Sequence, residues 1–565
     1  MIVGTRVRMG LPALLSAAAL LTALVPAYTA SAGPARAAST CLTIASEQQN
    51  PWQRDFSPFS GTARESARGG IYEPLMIMSV VVQKPIPWLA TAYKWTNGAK
   101  SLVITIRDGV KWSDGQPFTA KDVVFTMTYG KVDPAADQIG YSGTASNIAS
   151  VKQTGPSEVT INFKKTNVTV LQPILGGIRI IPEHVWASIK TPGKTIVTNP
   201  VGTGPFTEVR SFSGQEYVLG KNTSYWQAGK PAVDCLRFPA YSGNDPENLA
   251  TIKGDVDLAA NFLPKIENVY TPRDPAHFHY FFSTTGNTAT GLFYNVEKYP
   301  WSLVGFRKAV SMALNRSVIS RIGQYGYSPP ADATGIGLAF PSWLDKSVSQ
   351  EAAALVTYNP TKSRQMLTDL GFKLVDKQLM DPKGKPVRME LRVIGGWTDW
   401  VGSMKLVQKY MKDIGIDAVL KLDPSFGSWA TPTEAGLVAH FHWVYGTDPY
   451  GYFYSIMHTK SYIKTGVSAA TSSNWSRYTN VQASTLLDQF TQTTDEAQQH
   501  AIMAKIEKIM VTDLPFIPVF VNPRWYEYNT TRFTGFPTKD NEYAAGPFYA
   551  YPDKALVLNR VTPVK

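Results

Sequence analysis

Apolar positions recur along this chain with two alternating periods, one suited to strands and one to helices. Between Val387 and Leu422, Met389, Leu391 and Val393 alternate with Glu390 and Arg392, which predicts a strand ended by Gly395-Gly396. Leu406, Val407, Tyr410 and Met411 then recur at helical spacing over 401–414, and Gly415 is placed to cap that helix. Ile416, Ala418 and Leu420 alternate again. Strand, helix and strand in this order predict a βαβ unit with parallel strands.

Other helices carry end signals of their own. Asn359-Pro360 opens one that passes through Met366, Leu367 and Leu370 and stops at Gly371. Phe306, Ala309, Val310, Ala313 and Leu314 form a single apolar stripe, and Thr493 with Glu496 has the spacing of a capping box ahead of Ile502, Ile506 and Met510. The region 102–163 differs. Its alternating runs, such as Val159, Ile161 and Phe163, are separated by turn signals at Asp108-Gly109 and Asp114-Gly115, which predicts a smaller mixed domain near the front.

At the N-terminus, Arg6 and Arg8 precede an apolar run from Leu11 to Val25, and small residues follow at Ala30-Ser31-Ala32 and Ala35-Arg36-Ala37. This pattern predicts a secretory signal peptide over 1–32, cleaved between 32 and 40. No later stretch approaches the ~18 uncharged apolar residues that a membrane-spanning helix needs. The expected product is exported and extracytoplasmic, at the cell surface or in a periplasmic space, and soluble or loosely membrane-associated.

With 44% hydrophobic and 12% aromatic residues, a chain of 565 residues has core material for two or three domains. Its net charge of +12 is scattered among acids without a basic stripe, so a nucleic-acid partner is not expected. The two cysteines, Cys41 and Cys235, form an even count in an oxidising compartment and predict one disulfide. The rival reading is a lipid-modified Cys41. Against it, Ala38-Ser39-Thr40 lacks an aliphatic residue three positions before the cysteine and places bulky Thr beside it.

Catalytic signatures are missing: there is no G-x-S-x-G, H-E-x-x-H or Walker loop, and no Cys pair at zinc spacing. Ser461-Tyr462-Ile463-Lys464 matches S-x-x-K, but no K-T-G follows it, so chance accounts for the match. His440 and His442 flank Phe441 on a predicted strand and therefore share a face, as paired metal ligands would. Without nearby cysteines or clustered acids they read better as hydrogen-bonded histidines in a pocket wall, and neither a metal nor a cofactor is expected.

Aromatic residues carry more information. Trp397 and Trp400 stand just after a strand and before its helix, where ligands bind in open α/β sheets. Trp443, Tyr445, Asp448, Tyr450 and Tyr452 follow another strand, and Trp475 and Trp525 fall in further loops. Together they predict a large apolar cleft with polar rims. The candidate ligand-binding residues are Phe59, Trp397, Trp400, Trp443, Tyr445, Asp448, Trp475 and Trp525.

A series of ordered motifs resembles family 5 of the solute-binding proteins, which holds dipeptide, oligopeptide, nickel and some oligosaccharide receptors of ABC importers. The front half carries Ile71-Tyr72-Glu73-Pro74-Leu75, Pro87-Trp88-Leu89-Ala90, Arg107-Asp108-Gly109-Val110-Lys111-Trp112-Ser113-Asp114-Gly115 and Phe118-Thr119-Ala120-Lys121-Asp122-Val123. Asn199-Pro200-Val201-Gly202-Thr203-Gly204-Pro205-Phe206, Asn222 with Tyr225-Trp226, and Gly254-Asp255-Val256-Asp257-Leu258-Ala259 continue it. Phe306-Arg307-Lys308-Ala309, Leu314-Asn315-Arg316 and Leu514-Pro515-Phe516-Ile517-Pro518 complete it.

The resemblance implies an α/β fold of the type II periplasmic-binding-protein kind, with two lobes that close like a hinge and an extra mixed α/β domain. Lobe I would gather 41–75, 198–283 and 521–565, the extra domain 76–197, and lobe II 284–520. Cys41 and Cys235 would then lie on neighbouring strands of lobe I, which favours the disulfide. A receptor of this kind is not an enzyme, and it would act as a monomer that passes its ligand to permease subunits.

Peptide-binding members place an aspartate four residues before a proline to pair with the ligand's ammonium. The matching position here is Tyr445, and Asp448 could substitute only if the loop shifts. The run Phe533-Thr534-Gly535-Phe536-Pro537-Thr538-Lys539-Asp540-Asn541-Glu542-Tyr543 resembles the oligosaccharide-binding branch, and 14 tryptophans suit the flat faces of sugars. The expected ligand is a neutral oligosaccharide, with an oligopeptide as the alternative and an exported hydrolase as a distant one.

Overall fold

The computed structural model describes residues 41–45, 48, 51–60, 62–82, 84–142, 146–424, 438–444, 448–464 and 474–564. Three main sheets organise them. The largest has seven strands, in the order Phe278–Tyr280, Glu527–Asn529, Leu258–Ala259, Cys41–Ala45, Cys235–Pro239, Glu216–Lys221 and Phe206–Phe212. Cys41–Ala45 runs parallel to both of its neighbours, and its Leu42 and Ile44 are buried. Beside it Tyr217 stacks on Phe238 with ring centroids 4.5 Å apart.

The second sheet has five strands, in the order Asp417–Asp423, Arg388–Ile394, Val438–Trp443, Ala289–Tyr294 and Ile517–Val521. Its first three strands are parallel, and the helix Thr398–Asp413 makes the crossover between the first two. The predicted βαβ unit is therefore present, with its helix starting three residues before the expected 401. Met404, Val407 and Met411 bury one face of that helix, and Gly415 takes the left-handed backbone (φ 87°) that ends it.

One side chain departs from simple alternation, and one helix cap differs from expectation. Arg392 alternates with Leu391 and Val393, yet it is buried like them, because both faces of this inner strand are covered. Its guanidinium pairs with Asp423 on the adjacent strand, Nε donating to Oδ2 at 3.0 Å, so the charge is compensated. The helix Glu496–Asp513 is capped by Asp495, whose carboxylate accepts from Gln498 N, and not by Thr493, which accepts from Asp495 N just outside the helix. Asp495 stands directly at the helix start, and a carboxylate there also favours the positive end of the helix dipole.

A third, antiparallel sheet joins Ala90–Thr96, Ser101–Ile106, Glu158–Phe163 and Ile148–Gly155, within the region read as a smaller mixed domain. Between the first two sheets the chain crosses twice, at 281–288 and at 522–526. Arg524 N donates to Ser283 O (2.7 Å) and Asn287 Nδ2 to Asn522 O (2.9 Å), which ties the crossings together. Cys41 and Cys235 are joined by a disulfide, so Cys41 is a disulfide partner and the lipid-anchor alternative falls.

Candidate functional site

The two larger sheets meet near the carboxyl ends of their parallel strands. From the seven-stranded sheet come Gln48, after Cys41–Ala45; Asn261, after Leu258–Ala259; and Glu527, which starts the neighbouring antiparallel strand. The helix Asn244–Lys253 adds Asn244, Glu247 and Asn248.

Gln48 Nε2 donates to Asn244 Oδ1 (2.8 Å), Asn261 Oδ1 (2.6 Å) and Glu247 Oε2 (3.1 Å). Asn261 Nδ2 donates to Asn248 Oδ1 (2.8 Å), and Asn261 N to Glu527 Oε2 (3.2 Å). Burial pushes the Glu247 carboxyl up to about 7. It raises Glu527 well above the ordinary carboxylate range, with the nearby Glu247 adding to the effect. A buried carboxyl that cannot be fully solvated favours its neutral form.

From the five-stranded sheet come Gly396, Thr398 and Asp399, at the end of strand Arg388–Ile394 and the start of its helix. Asn244 reaches them directly: its N–H donates to Gly396 O (3.2 Å), and its Nδ2 to Thr398 Oγ1 (3.2 Å) and Asp399 Oδ1 (3.4 Å). Burial pushes the Asp399 carboxyl up to about 6. A second contact joins Tyr327 Oη to Glu267 Oε2 (2.6 Å), with Ile266 N donating to the same hydroxyl at 3.2 Å.

Aromatic rings gather in two groups beside these contacts. Trp397 lies 4.9 Å from Trp400 and 5.8 Å from Trp443, centroid to centroid. Trp397 and Trp443 are partly exposed. The other group holds Trp525 against Phe262 (5.3 Å) and Phe282 (5.0 Å), with Tyr327 at 6.2 Å. It spans the crossing segments. Phe262, Tyr327, Asn244 and the acids around Asn244 were not among the sequence-derived candidates. Single polar residues in short links between elements carry no period, so hydrophobic patterning did not mark them.

Several sequence-derived candidates sit elsewhere. Trp400 is 2% exposed and packs edge-on against Phe441 (5.1 Å). It belongs to the core, because the first turn of its helix lies down on the sheet. Trp475 is also buried, between His440 (5.6 Å) and His442 (4.8 Å). Phe59 packs on Tyr129 (6.0 Å) and Trp186 (5.1 Å), away from both aromatic groups described above. Asp448 caps the helix Pro449–Met457, accepting from Gly451 N at 2.7 Å. Tyr445 lies outside the described residues.

His440 and His442 are both buried, and burial holds His442 down at about 3, so neither is placed to carry charge. Among the described residues no three His, Cys, Asp or Glu side chains are grouped to hold a metal ion. No helix among them is long and apolar enough to cross a membrane.

The sequence profile of the bacterial extracellular solute-binding proteins, family 5, middle region, matches residues 84–463. The nickel-binding periplasmic protein of Escherichia coli K12 is 26% identical over 398 residues, 69% of this chain and 73% of its own length. A glutathione-binding protein of Shigella flexneri is 25% identical over 297 residues, half of this chain and 53% of its own. Among solved structures, a mannohexaose-bound periplasmic oligopeptide-binding protein from Thermotoga maritima superposes with a TM-score of 0.82 at 25% identity. That match covers 93% of this chain and 99% of the other. A Bacillus subtilis oligopeptide-binding protein in complex with a nonapeptide gives 0.74 at 19% identity, over 93% and 99%. These likenesses fix a type II periplasmic-binding-protein fold with two lobes.

Proposed function

The chain belongs to family 5 of the bacterial extracellular solute-binding proteins, and from that premise we propose that it captures an oligosaccharide between its two lobes. As a member it is a receptor of an ABC importer that works with permease subunits, and it is not an enzyme. Ligand bridging the lobes favours the closed form, which the permease then recognises.

One observation carries the oligosaccharide reading: partly exposed Trp397, Trp443 and Trp525 lie beside the lobe contacts, in a fold whose mannohexaose-bound relative superposes at 0.82. Indole faces suit the flat apolar faces of sugar rings. In this reading Trp397, Trp443 and Trp525 touch ligand, Tyr445 and Asp448 remain candidate ligand contacts, and Trp400 and Trp475 support the wall from behind. The nonapeptide complex of the Bacillus subtilis protein favours an oligopeptide as the second reading.

The lobes are assigned as 41–75 with 198–283 and 521–565, and as 284–520, with 76–197 as the extra domain. The seven-, five- and four-stranded sheets support this division, apart from one strand residue at position 521. Residues 1–32 act as a cleaved signal peptide, and the mature protein is an exported monomer that binds no nucleic acid.

The test is a thermal-shift screen with mannohexaose, shorter oligosaccharides, peptides and nickel chelates. Ligand at about 100 times its dissociation constant adds about 2.7 kcal/mol to stability. A rise in Tm with sugars alone supports the proposal. A rise with peptides alone replaces it with the second reading.

A further inference from the structure

We propose that the contact between Gly243-Asn244 on one lobe and Gly396–Asp399 on the other is the latch that sets how far the receptor closes. The inference rests on the reading that ligand is held between lobes that close on it.

The backbones touch here because both lobes present glycine. A Cβ added at Gly243 would lie 3.0 Å from Gly396 O and 3.2 Å from Gly396 Cα, and one at Gly396 would lie 3.2 Å from Ser242 O. Neither glycine has a left-handed backbone, and Gly243 is extended at φ 169°, so local conformation does not demand glycine at either position. Proximity of the opposite lobe is what crowds a side chain here, which would fit only if the facing backbone gave way by a few tenths of an ångström.

Asn244 completes the contact. Its Oδ1 accepts from Gln48 within its own lobe, while its Nδ2 protons reach Thr398 Oγ1 and Asp399 Oδ1 on the other. Its backbone N–H donates to Gly396 O. The carboxamide thus joins the polar network under one lobe to the residues flanking Trp397, and closing the lobes brings that indole up to the cleft. Each such bond contributes little net free energy, since water satisfies the same groups when the lobes part, and a reversible latch needs that balance.

The experiment compares ligand-free wild type with Gly243→Ala, which wedges the lobes by one methyl group, and with Thr398→Val, which removes an acceptor at an exposed position. Small-angle X-ray scattering reads the separation, and thermal unfolding checks the fold. A larger radius of gyration in Gly243→Ala, a smaller increase in Thr398→Val and unfolding as cooperative as wild type are expected. Mannohexaose affinity should fall about tenfold in Gly243→Ala, because the competent closed state becomes less populated. A wild-type radius of gyration in both variants overturns the latch. Should mannohexaose fail to bind even wild type, the ligand reading falls while scattering still decides the latch, and Thr398→Val decides it alone if Gly243→Ala does not fold.

Discussion

Cys41 and Cys235 are register partners on adjacent parallel strands, and the disulfide between them ties together positions 194 residues apart. The whole antiparallel front sheet lies inside the loop so closed. By the chain-entropy account, a cross-link over that span restricts the unfolded chain by about 5 kcal/mol. The double variant Cys41→Ser/Cys235→Ser should therefore lower the urea midpoint markedly, with the folded circular dichroism spectrum retained at low denaturant. An unchanged midpoint would remove the disulfide from the account of stability.

Glu73 is buried, and its carboxylate accepts from Trp88 Nε1 (2.7 Å), Tyr225 Oη (2.9 Å) and Trp226 Nε1 (3.1 Å). Burial outweighs these donors and pushes its carboxyl up to about 7, against 4.5 in an unrestrained chain. Between those values the folded state binds a proton that the unfolded state does not. The contribution of Glu73 is thus complete below about 4.5 and declines as pH rises to about 7, by a total on the order of 3 kcal/mol. Glu73→Gln, which cannot titrate, should show a stability difference from wild type that shifts against wild type across that window. A difference independent of pH would contradict this assignment.

Trp397 and Trp400 are neighbours in sequence and in space, yet they predict opposite phenotypes. Trp400→Ala empties core volume against Phe441 and should cost about 3–5 kcal/mol of stability. Trp397→Ala removes a partly exposed ring and should leave Tm near wild type while weakening mannohexaose binding by about tenfold, as loss of a binding hot spot does. Equal loss of stability in both, measured by differential scanning fluorimetry, would place Trp397 in the core as well.

The strand, helix and strand over 387–423 were legible because hydrophobic period reports which face of an element is buried, and that pattern is local. The helices at 304–313 and 360–369 were legible for the same reason, and Asn359 caps the latter as its sequence signal implied. The disulfide was legible from cysteine count and compartment, and the family resemblance implied neighbouring strands, although the register that sets Cys41 directly against Cys235 came only with the sheet.

Local pattern says less about what covers an element's other face. Arg392 alternates as an exposed residue would, and only the covering of both sheet faces puts it inside, against Asp423. Trp400 looked like a cleft residue because its loop stands at a strand end, and the first helical turn folds it under. Gln48, Asn244, Asn261 and Glu527 meet in one hydrogen-bonded network although Gln48 is 213 positions from Asn261 and Asn261 is 266 from Glu527.

By itself, the sequence determined the elements, the family and a receptor's architecture, since each is encoded in periods and ordered motifs along the chain. Tertiary structure alone decided which aromatics stay near the contact between the two larger sheets and which polar groups meet there. Those properties depend on surfaces brought together across hundreds of residues, where burial and hydrogen-bond partners come from other elements.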